Sequence, residues 1–259
     1  MPTDLLLALC AGFAVSVVTT PVGVSGAVFM LPIQMTVLGV PNPSVTPTNL
    51  LYNVIAVPGA LWRFSRAGGL RSRIVGPLVV GTVPGVVTGV ALRLTVFPSG
   101  GTFKALIALL FLPLGVWLLL PTGSRPRQLP PAAIGTTTLT LLGFGAGVIG
   151  GIYGIGGGSI LGPVLVGLGL GLATVAPAAL LTTFVTSIVG TTTYALLALI
   201  HASAEPDWLI GITAGVGGLL GGYAGASLQP RIPQRALRVM LGVLACGLAV
   251  AYLLQLLAE

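Results

Sequence analysis

The chain has too little charge to cover a water-facing surface. Of its 259 residues 6% are charged, 11 Lys or Arg and 4 Asp or Glu, where a soluble domain carries about 25%. With 55% hydrophobic residues and a mean hydropathy of +1.08, the composition excludes a soluble globule and implies an integral membrane protein. There is one histidine and there are two cysteines. Cys10 and Cys246 lie in apolar segments near opposite chain ends, without metal-ligand spacing, and are expected as small hydrophobes. Neither a metal nor a cofactor is expected. No carboxylate, lysine or arginine falls at the centre of an expected span, so the Asp, Glu or His relay of many proton-coupled carriers has no candidate here. A hydrolytic centre lacks its parts too: no His/Glu metal set, Ser–His pairing or carboxylate pair falls within the spans, so no enzyme is expected. The shortage of acids leaves a net charge of +7. Its basic residues cluster in short loops with no interleaved aromatics, which points to membrane topology and away from nucleic acid. Met1-Pro2-Thr3-Asp4 offers no basic n-region, so no cleaved signal peptide is expected.

What the chain does have is apolar runs. They fall at 5–18, 24–38, 45–62, 74–94, 103–120, 132–149, 157–171, 175–200, 208–228 and 236–257. Three of them, 5–18, 24–38 and 157–171, are shorter than the ~20 residues of an upright span. They flank glycine-rich stretches and read as half-helices, re-entrant hairpins or broken spans. The richest stretch runs from Gly150 to Ser159 and includes Tyr153, Gly154, Gly156, Gly157 and Gly158. Glycine at that density opens backbone groups, which membrane depth tolerates only where protein buries them or a cavity wets them. A weaker copy, Thr19-Thr20-Pro21-Val22-Gly23-Val24-Ser25-Gly26, lies near the start. Broken helices in matching places of two halves point to a transporter's binding site.

The halves match along their length. Gly23 pairs with Gly154, Leu31-Pro32 with Gly162-Pro163, and Pro47 and Leu50-Leu51 with Pro177 and Leu180-Leu181. Gly81, Gly85 and Gly89 pair with Gly217, Gly221 and Gly225. The expected fold is all-α: two repeats of about five helical segments, 1–120 and 132–259, joined by a linker at 121–131. Arg63, Arg66, Arg71 and Arg73 fill one loop, Arg125 and Arg127 the linker, and Arg231, Arg235 and Arg238 another. Placing these inside puts Asp4, Glu205, Asp207, Glu259 and both termini outside, with Arg93 and Lys104 against the trend and expected to snorkel. The repeats then have opposite orientation.

Near the breaks the available chemistry is neutral. A half-helix N-terminus presents open N–H donors and about half a positive charge, which suits an oxyanion. One candidate cluster is Thr19, Thr20, Gly23, Ser25 and Gly26; the other is Tyr153, Gly154, Gly156, Gly157, Gly158 and Ser159. On the helices that follow, Asn49 and Asn53 share a face, Thr183 aligns with Asn53, and Ser187 shares the face of Thr183 with Thr186 beside it. The plainer alternative gives the glycines to close helix packing and the polar groups to interhelical bonding. The two glycine stripes allow packing within the chain or, alternatively, a homodimer. Pro58, Pro84 and Pro113 should kink their helices. His201, beside Glu205 and Asp207, is expected in a solvated or interfacial outer loop.

At these residues the chain resembles the TauE/SafE-type sulfite exporter (TSUP) family of anion permeases. The likeness rests on the duplicated glycine-rich break, on Gly154-Ile155-Gly156-Gly157-Gly158 followed by Pro163, and on the hydroxyl-rich Leu181–Thr193. The first copy departs from it, with Ser25 and Ala27 where the second has glycine. The resemblance implies a bacterial inner-membrane permease for sulfur-containing oxyanions or organosulfonates such as sulfite or thiosulfate. It also implies that Gly154, Gly156, Gly157, Gly158 and Ser159 form a substrate loop. A channel for another small solute is the alternative reading.

Overall fold

The computed structural model describes residues 2–70, 72–96, 108–109, 111–113, 115–116, 119–120, 130–199 and 205–257. Arg71, Lys104, Arg125, Arg127, His201, Glu259, most of the 103–120 run and the linker through residue 129 lie outside them. The described residues are all-helical: α1 Pro2–Thr19, α2 Ala27–Thr36, α3 Val45–Arg66, α4 Val75–Thr95, α5 Thr136–Tyr153, α6 Gly158–Gly167, α7 Leu172–Ala198, α8 Trp208–Leu228 and α9 Gln234–Leu257. Helical turns between 108 and 119 pack on α9 through Gly115, which lies against Cys246 and Gly242.

Among the described residues six stretches are long and apolar enough to cross a membrane: Thr3–Val22, Val75–Thr95, Thr136–Tyr153, Leu172–Ala198, Trp208–Arg231 and Arg235–Leu257. Large apolar side chains such as Leu6, Val80, Leu141 and Leu254 stay exposed on them, as a lipid-facing surface requires. One sequence expectation changes here. The 5–18 run is not a half-helix; it extends through a 3₁₀ turn, Thr20–Val22, into a full-length span. Among the nine described α-helices, α2 and α6, of 10 residues each, are the short ones, about 15 Å at 1.5 Å per residue.

Small residues set the packing. A Cβ at Gly217, Gly221 or Gly225 of α8 would collide with the carbonyl of Leu9, Phe13 or Val17 of α1. One at Gly81, Gly85 or Gly89 of α4 would meet that of Thr140, Phe144 or Val148 of α5. Both glycine stripes are therefore used within the chain, and each joins the first helix of one half to the fourth of the other. Contacts advance together along each pair, so α1 runs parallel to α8 and α4 to α5. Gly211, Gly215 and Gly218 meet Leu51, Ile55 and Ala56 in the same sense, so α3 is parallel to α8. By contrast Gly190 meets Leu50 while Pro177 meets Gly69, so α7 runs antiparallel to α3.

These directions gather charge at two ends. Arg63, Arg66, Arg73 and Arg231 lie at one, which we call the arginine end; there Trp62 stacks under Arg66 at 5.2 Å. Asp4, Glu205 and Asp207 lie at the other, the acidic end. Asp207 caps α8 by accepting from the Ile210 amide at 3.0 Å, and its own amide donates to Thr48 Oγ1 at 2.8 Å. Asp207→Ala should cost about 1 kcal/mol, read as a lower melting temperature in detergent, with Asp207→Asn recovering most of it. Arg93 departs from expectation. It is 3% exposed and donates to Asn42 Oδ1, so it is buried beneath the acidic end and does not snorkel.

Candidate functional site

Two glycines stop the helices that lead into the centre. Gly23 (φ 75°) follows the turn that ends α1, its amide bonding Thr20 O, and Gly154 (φ 70°) ends α5 with its amide on Gly150 O at 2.8 Å. An L side chain is disfavoured at that φ. A Cβ would also strike Ala176 at the first position and the Thr46 carbonyl at the second. The two breaks thus abut the starts of α7 and α3 in equivalent ways. The second break is narrower than the sequence implies. Gly150 and Gly151 remain helical in α5, because Gly151 is packed against the Val86 carbonyl of α4 and is buried in protein, not exposed to lipid.

Past the breaks α2 and α6 begin, and their N-terminal turns meet. Ser25 N donates to Ser159 Oγ at 3.3 Å, and Gly162 lies against the Gly23 carbonyl. Ser159 Oγ donates in turn to Ile155 O at 2.8 Å. Ser25 Oγ donates to Asn53 Oδ1 and accepts from Ala27 N at 3.2 Å. Asn49 Nδ2 donates to Ala27 O at 2.8 Å. Thr183 lies against the start of α6. A Cβ on Gly156 (φ 72°) would crowd Thr183 and lie 3.3 Å from Asn53 Nδ2, and one on Gly158 would fall on the Ala179 carbonyl and Thr183 Oγ1. Ser25, Asn53, Gly156, Gly158, Ser159 and Thr183 therefore converge where the two short helices start.

Hydrogen bonding sorts these polar groups. Thr182 and Thr186 donate to the carbonyls four residues back, at 2.8 and 2.6 Å, the usual way a helical hydroxyl is satisfied. Asn53 Nδ2, Thr183 Oγ1, Ser187 Oγ, Asn49 Oδ1 and Thr19 Oγ1 are buried without a hydrogen-bond partner, and Asn53, Thr183 and Ser187 are 0% exposed. Leaving a buried donor unpaired costs about 1–3 kcal/mol. Asn53 Nδ2 lies beside Gly156 and Thr183 Oγ1 beside Gly158, so both open donors sit at the start of α6, an arrangement that suits an acceptor. Nothing among the named groups carries a formal charge, so positive potential here comes from the dipoles of α2 and α6.

Other expected site residues fall beside this cluster. Thr20 and Gly26 line a small cavity that reaches Ser25 of the cluster from the arginine end, together with Ser16 and Tyr52, whose hydroxyls bond at 2.6 Å. Gly157 packs on Thr82 and the Ala146 carbonyl. Tyr153 is not in the cluster; it is 2% exposed in the apolar core, within electrostatic reach of Arg93. Three residues escaped the sequence reading. Tyr52 and Ser16 lack any motif. Gln34, inside α2, is 0% exposed with both carboxamide atoms unpartnered. A lone amide in the apolar run Met30–Met35 was the available signal.

A family model described as sulfite exporter TauE/SafE matches residues 8–252. No curated protein and no solved structure matches.

Proposed function

The chain belongs to the TauE/SafE sulfite exporter family and is a multi-pass membrane transporter, and from that premise we propose that it carries small sulfur-containing anions, such as sulfite, thiosulfate or organosulfonates, by alternating access. The anion binds near the midplane where α2 and α6 begin. Asn53 Nδ2 and Thr183 Oγ1 donate to its oxygens, with Ser25, Ser159 and the Gly156–Gly158 amides shaping the cradle. The observation that carries this reading is the pair of buried, unpartnered donors at the start of α6, which meets the start of α2.

Two inverted repeats, 1–120 and 132–259, frame the site in this proposal. The opposed directions of α1 and α5, α3 and α7, and α4 and α8 support it. So does α2, which must return toward the acidic end for α3 to run parallel to α1. The positive-inside preference then assigns the arginine end and the linker to the cytoplasm and both termini to the outside of a bacterial inner membrane.

A cradle built from dipoles and neutral donors also releases its anion readily, as conduction across a membrane requires. Export needs no coupling ion, because each negative charge leaving an inside-negative cell gains about 2.3 kcal/mol per 100 mV. In proteoliposomes, sulfite efflux should saturate, follow an imposed potential and accelerate with sulfite on the opposite side. Flux without saturation or trans-acceleration would indicate a channel, and no flux of sulfite, thiosulfate or sulfonates would remove the reading.

A further inference from the structure

Buried apolar clusters flank the central cluster, one toward each end. Toward the acidic end, Leu50, Val86, Val90 and Tyr194 form a buried apolar cluster, each 0% exposed. Their counterparts in the repeat are Leu180, Gly222, Ala226 and Phe64. Of these Leu180, Ala226 and Phe64 belong to a cluster toward the arginine end. At these positions valine aligns with glycine, valine with alanine and tyrosine with phenylalanine, whereas Val57, Ala60 and Leu61 of the arginine-end cluster are bulkier than their counterparts Ser187, Gly190 and Thr191. The tyrosine adds a bond that phenylalanine cannot make, Tyr194 Oη donating to Gly151 O at 3.2 Å, next to the break at Gly154. On the arginine side a Cβ at Gly222 would find only ordinary contacts, 3.4 Å and beyond. That is also the side where the small cavity reaches Ser25.

Between the central cradle and the acidic-end cluster runs a row of hydroxyls. Thr183, Ser187 and Thr191 recur every four residues on one face of α7, and all three Oγ atoms are buried without a partner. Neighbouring Thr182 and Thr186 satisfy theirs on the helix backbone. The row ends where Gly190 meets Leu50 and Val86. Ser187 corresponds to Val57, which lines the cavity on the arginine side.

We infer that Leu50, Val86, Val90 and Tyr194 are the gate at the acidic end and that the Thr183–Ser187–Thr191 row is the path behind it. This rests on the carrier reading above. An anion leaving the cradle meets hydroxyl donors one helical turn apart until it reaches the gate. Opening there breaks the Tyr194–Gly151 bond and unpacks two valines.

The test uses the full chain in proteoliposomes, with Cys10 and Cys246 replaced by serine and a single Ser187→Cys reporter. A membrane-impermeant maleimide is added on one side at a time. We expect slow labelling from the acidic-end side and none from the other. Tyr194→Phe should raise the rate about fivefold, the population shift for losing one neutral hydrogen bond, and Val90→Ala should raise it further. Ala60→Cys, in the cavity on the arginine side, should label from that side. Labelling of Ser187→Cys from the arginine side, or rates unmoved by Tyr194→Phe and Val90→Ala while Ala60→Cys reacts, would overturn the assignment. Tyr194→Phe removes one oxygen, and Val90→Ala supplies a second, independent opening should either variant fold poorly. The readout needs no substrate. Gated labelling without sulfite flux would keep the gate and remove the anion, whereas sulfite flux with ungated labelling would do the reverse.

Discussion

Asn53→Asp should abolish anion binding while leaving the helices in place. The aspartate keeps the shape of the side chain and the oxygen that accepts from Ser25 Oγ. It removes the one donor aimed past Gly156 toward Thr183 and puts a negative charge against the bound anion. Two unit charges about 4 Å apart repel by about 4 kcal/mol at an effective dielectric constant near 20, which is about three orders of magnitude in affinity. Asn53→Ala loses a donor to a charged ligand, worth about 1.5–3 kcal/mol, and should weaken binding about 10- to 100-fold. Thermal shift and direct titration with sulfite separate these effects from folding. Asn53→Asp binding sulfite within threefold of the parent would move the site elsewhere, whatever the melting temperatures.

That prediction leans on a residue visible in the sequence, and the reason it was visible is general. An asparagine in an apolar run has to be satisfied by something, so Asn49 and Asn53 stood out before any coordinates did. The same holds for the paired breaks and the two glycine stripes, because glycine in membrane helices marks either a turn or a close approach. What periodicity could not decide was which of the two. Gly150 and Gly151 share the composition of the break, yet both are helical, and Gly151 lies against α4 while Gly150 lies against Gly156 and Gly157. The role of Gly151 is set by a neighbour some sixty residues away, which no local pattern encodes. Burial of Arg93 escaped for a similar reason. Its partner Asn42 lies on another segment, and its position near the end of α4 looked like an interface. The length of α1 was underestimated because Thr19, Thr20 and Pro21 read as a break, whereas a 3₁₀ turn carries the helix past them to Val22. Thr183, Ser187 and Thr191 could be aligned on one face from the sequence. That they are unpartnered while Thr182 and Thr186 are not depends on side-chain geometry.

Gly85→Val and Gly221→Val should damage the protein about equally, although they lie in different halves. At each, the new Cβ falls on a backbone carbonyl, Phe144 in one case and Phe13 in the other. A backbone cannot step aside as a flexible side chain can, so the helices must separate along the whole stripe. Overpacking costs about 1–3 kcal/mol in cores that can adjust; a loss of about 3 kcal/mol or more is expected here, seen as aggregation or a sharply lower melting temperature in detergent. Gly145 supplies the control. It lies on α5, one residue past Phe144, with nothing within 4 Å of its Cβ position, so Gly145→Val should change stability by less than about 1 kcal/mol. Should the control lose as much as the other two, helix propensity or lipid contact would account for the damage, and the interlocking of the first helix of each half with the fourth of the other would not be what holds the cradle together. If only one stripe proves sensitive, the halves do not share the assembly equally, and the paired breaks lose the frame that brings α2 and α6 start to start.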